Sequence, residues 1–128
     1  MSRKTAQEII DLVVGYLEGS VALVARVSTR IYEGVEANKN LQLPHIVYNV
    51  ITNTPWGFFE NEVVIDLFQI DVYAKTKTAA REIHEILYGV LHNKVLAGYF
   101  VYCEVEHAAI KETHAHRIQS DWEIRTVD

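Results

Sequence analysis

The sequence predicts an α+β domain, helices on one face of a mostly antiparallel sheet, and three observations carry that expectation. Two stretches, near the N-terminus and over 76–93, repeat their apolar residues at a helical period. Residues 45–54 and 62–74 are dense in Val, Ile, Tyr and Phe. Residues 99–107 and 116–127 alternate apolar and polar positions as a half-wet antiparallel pair does. With 128 residues, one domain is expected, burying roughly two-thirds of the surface its unfolded chain exposes. No internal repeat, low-complexity run or linker marks a second domain.

The first helix opens on Thr5-Ala6-Gln7-Glu8, a capping-box spacing in which the hydroxyl and the carboxylate satisfy orphan backbone donors. Ile9, Leu12, Val13 and Tyr16 then form its apolar face, and Gly19 interrupts it. The run 21–27 is apolar throughout and reads equally as a helical turn or a buried strand. A polar loop follows Arg30-Ile31-Tyr32, and Pro44 sets the start of the next strand, because proline has no N–H for a ladder and drives its predecessor toward extended geometry. His45 to Thr54 and Glu62 to Ala74 are strands joined by the long tip Pro55-Trp56-Gly57-Phe58-Phe59-Glu60-Asn61.

In the second of these strands Phe68, Ile70 and Val72 share one face, and Gln69, Asp71 and Tyr73 the other. Val63-Val64-Ile65 has no polar side, which points to cover on both faces. The helix over 76–93 carries Ala80, Ile83, Leu87 and Val90 or Leu91 as its stripe, with Arg81 and Glu85 on the wet side, and Ala97-Gly98 punctuates its exit. Tyr99 to His107 and His116 to Val127 close the sheet: Val101, Cys103 and Val105 alternate with Glu104 and Glu106, and Ile118, Trp122 and Ile124 with Gln119, Asp121, Glu123 and Arg125.

Composition excludes several classes. The net charge of −5 and the scattered Lys and Arg argue against a nucleic-acid binder, since affinity for phosphates needs clustered cations. The single Cys103 permits no internal disulfide and reads as a reduced core thiol in a cytosolic setting. No run approaches the roughly 20 apolar residues of a membrane span, and the first residues lack a signal-peptide core.

Signatures of catalysis are absent: no Gly-rich phosphate loop, no Gly-x-Ser-x-Gly elbow, no paired cysteines, no His-Glu-x-x-His. His107, His114 and His116 form a weak metal candidate, as His114 and His116 point one way on an extended segment; polar histidines of a hairpin turn are the favoured reading. Asp66 and Asp71 lie on opposite faces unless a bulge intervenes, so they make no acid/base pair. Glu104, Glu106, Asp121 and Glu123 are expected to build one acidic patch, either a solvated face or a functional surface. Trp56, Phe58 and Phe59 put more apolar surface on a loop than a monomer needs; an interface outweighs the alternative that they fold back on the core.

The order Arg30-Ile31-Tyr32, loop, Leu43-Pro44-His45-Ile46-Val47-Tyr48, the strand ending Asp71-Val72-Tyr73-Ala74, and the helix opening near Ala79-Ala80-Arg81 resembles the tail terminator, or tail completion, proteins of long-tailed bacteriophages and prophages, over nearly the whole chain. The resemblance implies a structural virion protein rather than an enzyme, with no cofactor. It implies a ring, usually hexameric, that docks on the last ring of tail-tube protein, ends tube polymerisation and presents a surface to the head–tail connector. DNA would pass through without specific binding, and the protein, assembled in the host bacterial cytoplasm, would sit in the virion at the head–tail junction. Trp56, Phe58, Phe59, Val63 and Ile65 are the expected oligomer or tube interface, and the four carboxylates the possible lumen face. A head-closure or minor capsid joining role is the alternative, and a small His-dependent metal enzyme a more distant one.

Overall fold

A computed structural model describes residues 6–34, 42–55, 63–106, 110–111 and 115–126. In chain order these are helices α1 (Ala6–Glu18) and α2 (Val21–Val27), strands β1 (Ile31–Glu33), β2 (His45–Pro55) and β3 (Val63–Ala74), helix α3 (Lys77–Leu91), and strands β4 (Lys94–Leu96), β5 (Tyr99–Glu106), β6 (Ile110–Lys111) and β7 (His116–Thr126). The fold class is α+β, as the sequence predicts. One seven-stranded sheet runs β1-β2-β3-β7-β5-β4, with β6 paired to β7 beyond the end of β5. Every described pairing is antiparallel except β1 with β2, which is parallel.

Local chemistry accounts for the boundaries. The apolar run 21–27 is a helix, started by Ser20, whose Oγ accepts from the Leu23 N–H at 3.3 Å. Thr76 caps α3 in the same way, accepting from the Ala79 N–H at 3.0 Å. Thr5 lies outside the described residues. The α1 stripe is turned relative to expectation: Ile9, Ile10, Val13 and Leu17 are buried, Leu12 is half-buried and Tyr16 is exposed. Both sets fit a helical period, and the tertiary surface selects the one centred on Ile9, Val13 and Leu17.

The peptide bond before Pro44 is cis, and β2 begins at the next residue. The Arg30 side chain holds this entry, its Nε–H donating to the Pro44 carbonyl at 2.8 Å, while the Ile46 N–H donates to the Arg30 carbonyl at 2.9 Å. Gly34, at φ 81°, turns the chain out of β1 in a conformation that suits glycine.

The core lies between the helices and one sheet face. Phe68, Ile70, Val72 and Ala74 of β3 face it, next to Ile46 and Tyr48 of β2 and to Ile118, Trp122 and Ile124 of β7. Helix α3 crosses β3, β7 and β5 with Ala80, Ile83, Leu87 and Leu91 inward; Leu91, not Val90, completes the stripe. Trp122 packs near Tyr88 and His92 and donates its Nε1–H to Ser120 Oγ at 2.7 Å. Ser120 in turn donates to the Ile70 carbonyl at 3.3 Å, so the buried indole leaves no orphan donor.

The β4–β5 hairpin closes through Ala97 and Gly98 between the paired Leu96 and Tyr99. Both residues have positive φ, 50° and 89°, as a two-residue type I′ loop demands. Alanine is poorly suited to that conformation and asparagine is favoured. Ala97→Asn is therefore expected to raise stability by about 0.5–1 kcal/mol, measured as a higher midpoint in urea with an unchanged slope.

Candidate functional site

Two irregularities decide which charged side chains meet. Along β5 and β7 the register runs Val101 opposite Ile124, Tyr102 opposite Glu123, Cys103 opposite Trp122, and then slips, so that Val105 faces Asp121 and Glu106 faces Ser120. Glu104 is the extra residue of a β-bulge. Beyond it the side-chain alternation is inverted: Glu106 shares the face of buried Ser120 and Trp122, and Val105 turns outward at 45% exposure. The expected single acidic patch is thus divided. Asp121 and Glu123 lie on the helix-free face, while Glu106 comes under α3. The alternation predicted through Val105 fails for the same reason.

The helix-free face is charge-compensated. Glu123 accepts from the Tyr102 hydroxyl at 2.7 Å and pairs with Arg125, whose guanidinium lies 5.4 Å from the Tyr102 ring centroid. Asp71 and Arg117 form an ion pair at 4.0 Å. His45 is buried here, stacked on Tyr73 at 4.8 Å and edge-on to Tyr32 at 5.9 Å. Its Nδ1–H donates to the Gln42 carbonyl at 3.1 Å. Burial holds its pKa below 6.5 despite that hydrogen bond, and Arg30 pushes the same way. A second bulge in β3, between Ile65 and Phe68, removes the parity argument that separated Asp66 from Asp71; the Asp66 side chain lies outside the described residues.

On the helix side, Glu85, Tyr88, Cys103, Glu104 and Glu106 line an open, polar groove where α3 passes the end of β5. Beneath it sits His84, a position the sequence reading left out of the α3 stripe. The signal was available, since His84 follows Ala80 by four residues and precedes Leu87 by three and Leu91 by seven. Its side chain is only 5% exposed. Nδ1 lies 3.8 Å from Glu106 Oε1, too far for a hydrogen bond, and the buried Nε2 has no hydrogen-bond partner among the described residues.

Burial holds the His84 imidazole below 6.5, against the pull of Glu106 and Glu85. Cys103 experiences the same environment with the opposite sign. Burial first, then the Glu106 carboxylate, pushes its thiol up to about 12, leaving it a protonated, unreactive group. The Cys103 N–H donates to His92 Nδ1 at 3.0 Å.

A third feature is a groove of about 350 Å³ between the end of α1, the end of α3 and β4, lined by Gly15, Tyr16, Gly19, Ser20, Val90 and Lys94. Trp56, Phe58, Phe59, His107 and His114 lie outside the described residues; so do the side chains of Val63 and Ile65, whose backbones continue β3 opposite Pro55 and Ile124. His116 pairs with Ala74 and Lys111 in the ladders of β7. Among the described residues no group of three His, Cys, Asp or Glu is arranged to hold a metal ion, and no helix is long and apolar enough to cross a membrane.

Because the fold lowers the His84 and His45 pKa values below their unfolded value of 6.5, the native state binds fewer protons than the unfolded chain over that interval. Their stabilising contribution is complete above 6.5 and is lost as pH falls from there through the lowered folded values. His84→Leu should flatten part of this acid slope and leave the part due to His45. Urea unfolding from neutral pH downward measures both; an identical slope in the variant would contradict the assignment.

No family model matches the chain, and no curated protein matches it. Among solved structures, a chain in the virion of a native gene transfer agent particle has a TM-score of 0.68, with 91% of this chain and 92% of that chain covered at 16% identity. The likeness is one of fold, and it extends over most of both chains rather than over a shared fragment.

Proposed function

We propose that the protein is a structural component of a phage-type virion, acting by assembly and not by catalysis, and that within the particle it terminates the tail tube. The observation that carries the first part is the correspondence of fold, nearly complete in both chains, with a gene transfer agent virion component. The finer role rests on the order of the Arg30-Ile31-Tyr32, Leu43-Pro44 and Asp71-Val72-Tyr73-Ala74 segments, which resembles tail terminators. In this reading a ring of copies, hexameric in the resembling family, caps the last ring of tube subunits with one face and offers the other to the connector. A polymer that grows through a repeating heterologous contact stops when its end meets a ring that reproduces that contact on one side only.

The chemistry of the described surface suits this role. The thiol of Cys103 is silenced by burial, Asp71 and Glu123 of the helix-free face are paired with arginines, and the two sheet margins, β1 and β4, are three residues each. A head-closure joining protein is the second reading, favoured by the same fold correspondence and separated from the first by which partner binds: tail-tube rings alone or the connector alone.

Native mass measurement is expected to give a defined multiple of the chain mass. Trp56→Ser with Phe59→Ser should shift that mass toward the monomer while leaving the thermal transition in place, since an interface aromatic typically contributes about 2 kcal/mol or more. An unchanged assembly in the double variant would remove the 56–59 tip from the interface.

The lumen follows from charge. Glu85, Glu104 and Glu106 border one groove and are exposed, whereas Asp121 and Glu123 share a face with Arg117 and Arg125. We assign the DNA-repelling wall to the groove side, because unneutralised carboxylates keep a phosphate backbone sliding. Glu104→Lys with Glu106→Lys should leave the ring mass intact and create salt-sensitive DNA binding. No DNA affinity at low salt would return these residues to an ordinary solvated surface.

A further inference from the structure

The apolar groove of the helix layer has walls that nothing described fills. Among the described residues, a Cβ built on Gly15 would meet no atom within 4 Å, and one on Gly19 would meet only the Gly15 and Tyr16 carbonyls, at 3.5 and 3.6 Å. Toward the described residues the two glycines therefore serve no close approach between packed elements; they leave open space at the end of α1, and Gly15, inside the helix, does so at a cost in helix propensity. The exposed apolar surface continues beyond the groove: Tyr16 is 39% exposed, and Val21 and Val95, next in sequence to the lining residues Ser20 and Lys94, are 86% and 56% exposed. Lys94 is the single charge among its described lining residues.

One segment of this chain has the complementary chemistry. Trp56-Gly57-Phe58-Phe59-Glu60-Asn61-Glu62 presents three rings followed by two carboxylates, which suits apolar walls edged by a lysine. A groove of this volume is at the small end of ligand pockets and takes one or two rings. Topology supplies the geometry. The segment is carried by the β2–β3 hairpin, and the groove is attached through Lys94 to β4, with β7 and β5 between them. At about 4.8 Å per strand, β3 and β4 are separated by roughly 14 Å. The segment, attached at β3, and the receptor, at the β4 margin, are different patches of one chain, and a contact between unlike patches of neighbouring copies is head-to-tail, the kind that closes into rings.

We propose that the groove formed by Gly15, Gly19, Val90 and Lys94 receives the 56–62 segment of a neighbouring copy. This rests on the ring reading above and names the receptor surface that it needs. Gly15→Leu fills the groove with a better helix former, so its circular dichroism melt should be retained or raised while self-association weakens at least tenfold. Lys94→Glu should weaken it too, and Glu60→Lys with Glu62→Lys in the Lys94→Glu background should restore it. With Cys103→Ser as background, Gly19→Cys and Gly57→Cys on separate, mixed copies should form a disulfide between chains.

The outcomes separate the two ideas. If Trp56→Ser dissolves the ring but Gly15→Leu and Lys94→Glu leave it whole, the groove is not the receptor and the ring reading stands. If the unmodified protein has the mass of one chain, the ring reading falls and this proposal with it. If a chain carrying both cysteines closes the disulfide only within itself, the tip occupies its own groove and the intersubunit assignment is overturned.

Discussion

The register of β3 between β2 and β7 is the constraint on which the rest of this molecule depends. β3 is laddered on both sides, and Phe68, Ile70, Val72 and Ala74 are at most 1% exposed on one face of it. A slip of a single residue would bring Gln69, Asp71 and Tyr73 under α3 and move four apolar side chains to the other face. Burying a large apolar side chain contributes about 1.5–3 kcal/mol, so the alternative register is excluded by several such terms at once. The inward stripe of α3 and the Trp122–Ser120–Ile70 hydrogen-bond relay match only this register.

The bulge at Glu104 is where that regularity is released. Before it, β5 obeys the alternation its sequence spells out; after it, a carboxylate occupies the helix side and a valine the other. The consequence is a buried imidazole, His84, whose nearest charged group, Glu106, is half in water. Desolvation outweighs attraction in this arrangement, because the carboxylate is screened while the ring is not. On the other face the balance differs: Asp71 and Arg117 are both largely buried, and such a pair is retained more readily than either charge alone.

An open sheet edge invites pairing with another chain. Here β1 and β4 are short, and the backbone N–H of Cys103, beyond the reach of β4, is taken by the side chain of His92. The described surface also offers an apolar groove with one lysine at the β4 side, and an acidic groove where α3 meets the end of β5. Surfaces of that kind select partners by shape and charge.

The α+β class, helix α3, the Pro44 strand start and the alternation of β3 and β7 were all legible in the sequence, because each depends on residues within a few positions of one another. Propensity, capping and period are local properties, and here they agree. The turn of α1 that buries Ile10 and Leu17 and leaves Tyr16 outside and the helical state of 21–27 required the tertiary structure, since two faces of the chain were nearly equally apolar and only the facing surface chose between them. The division of Glu106 from Asp121 and Glu123 could not be read at all. A bulge inserts one residue into a ladder whose partner strand lies more than ten positions away, and period-two reasoning carries every later side chain to the wrong face unless that long-range register is known.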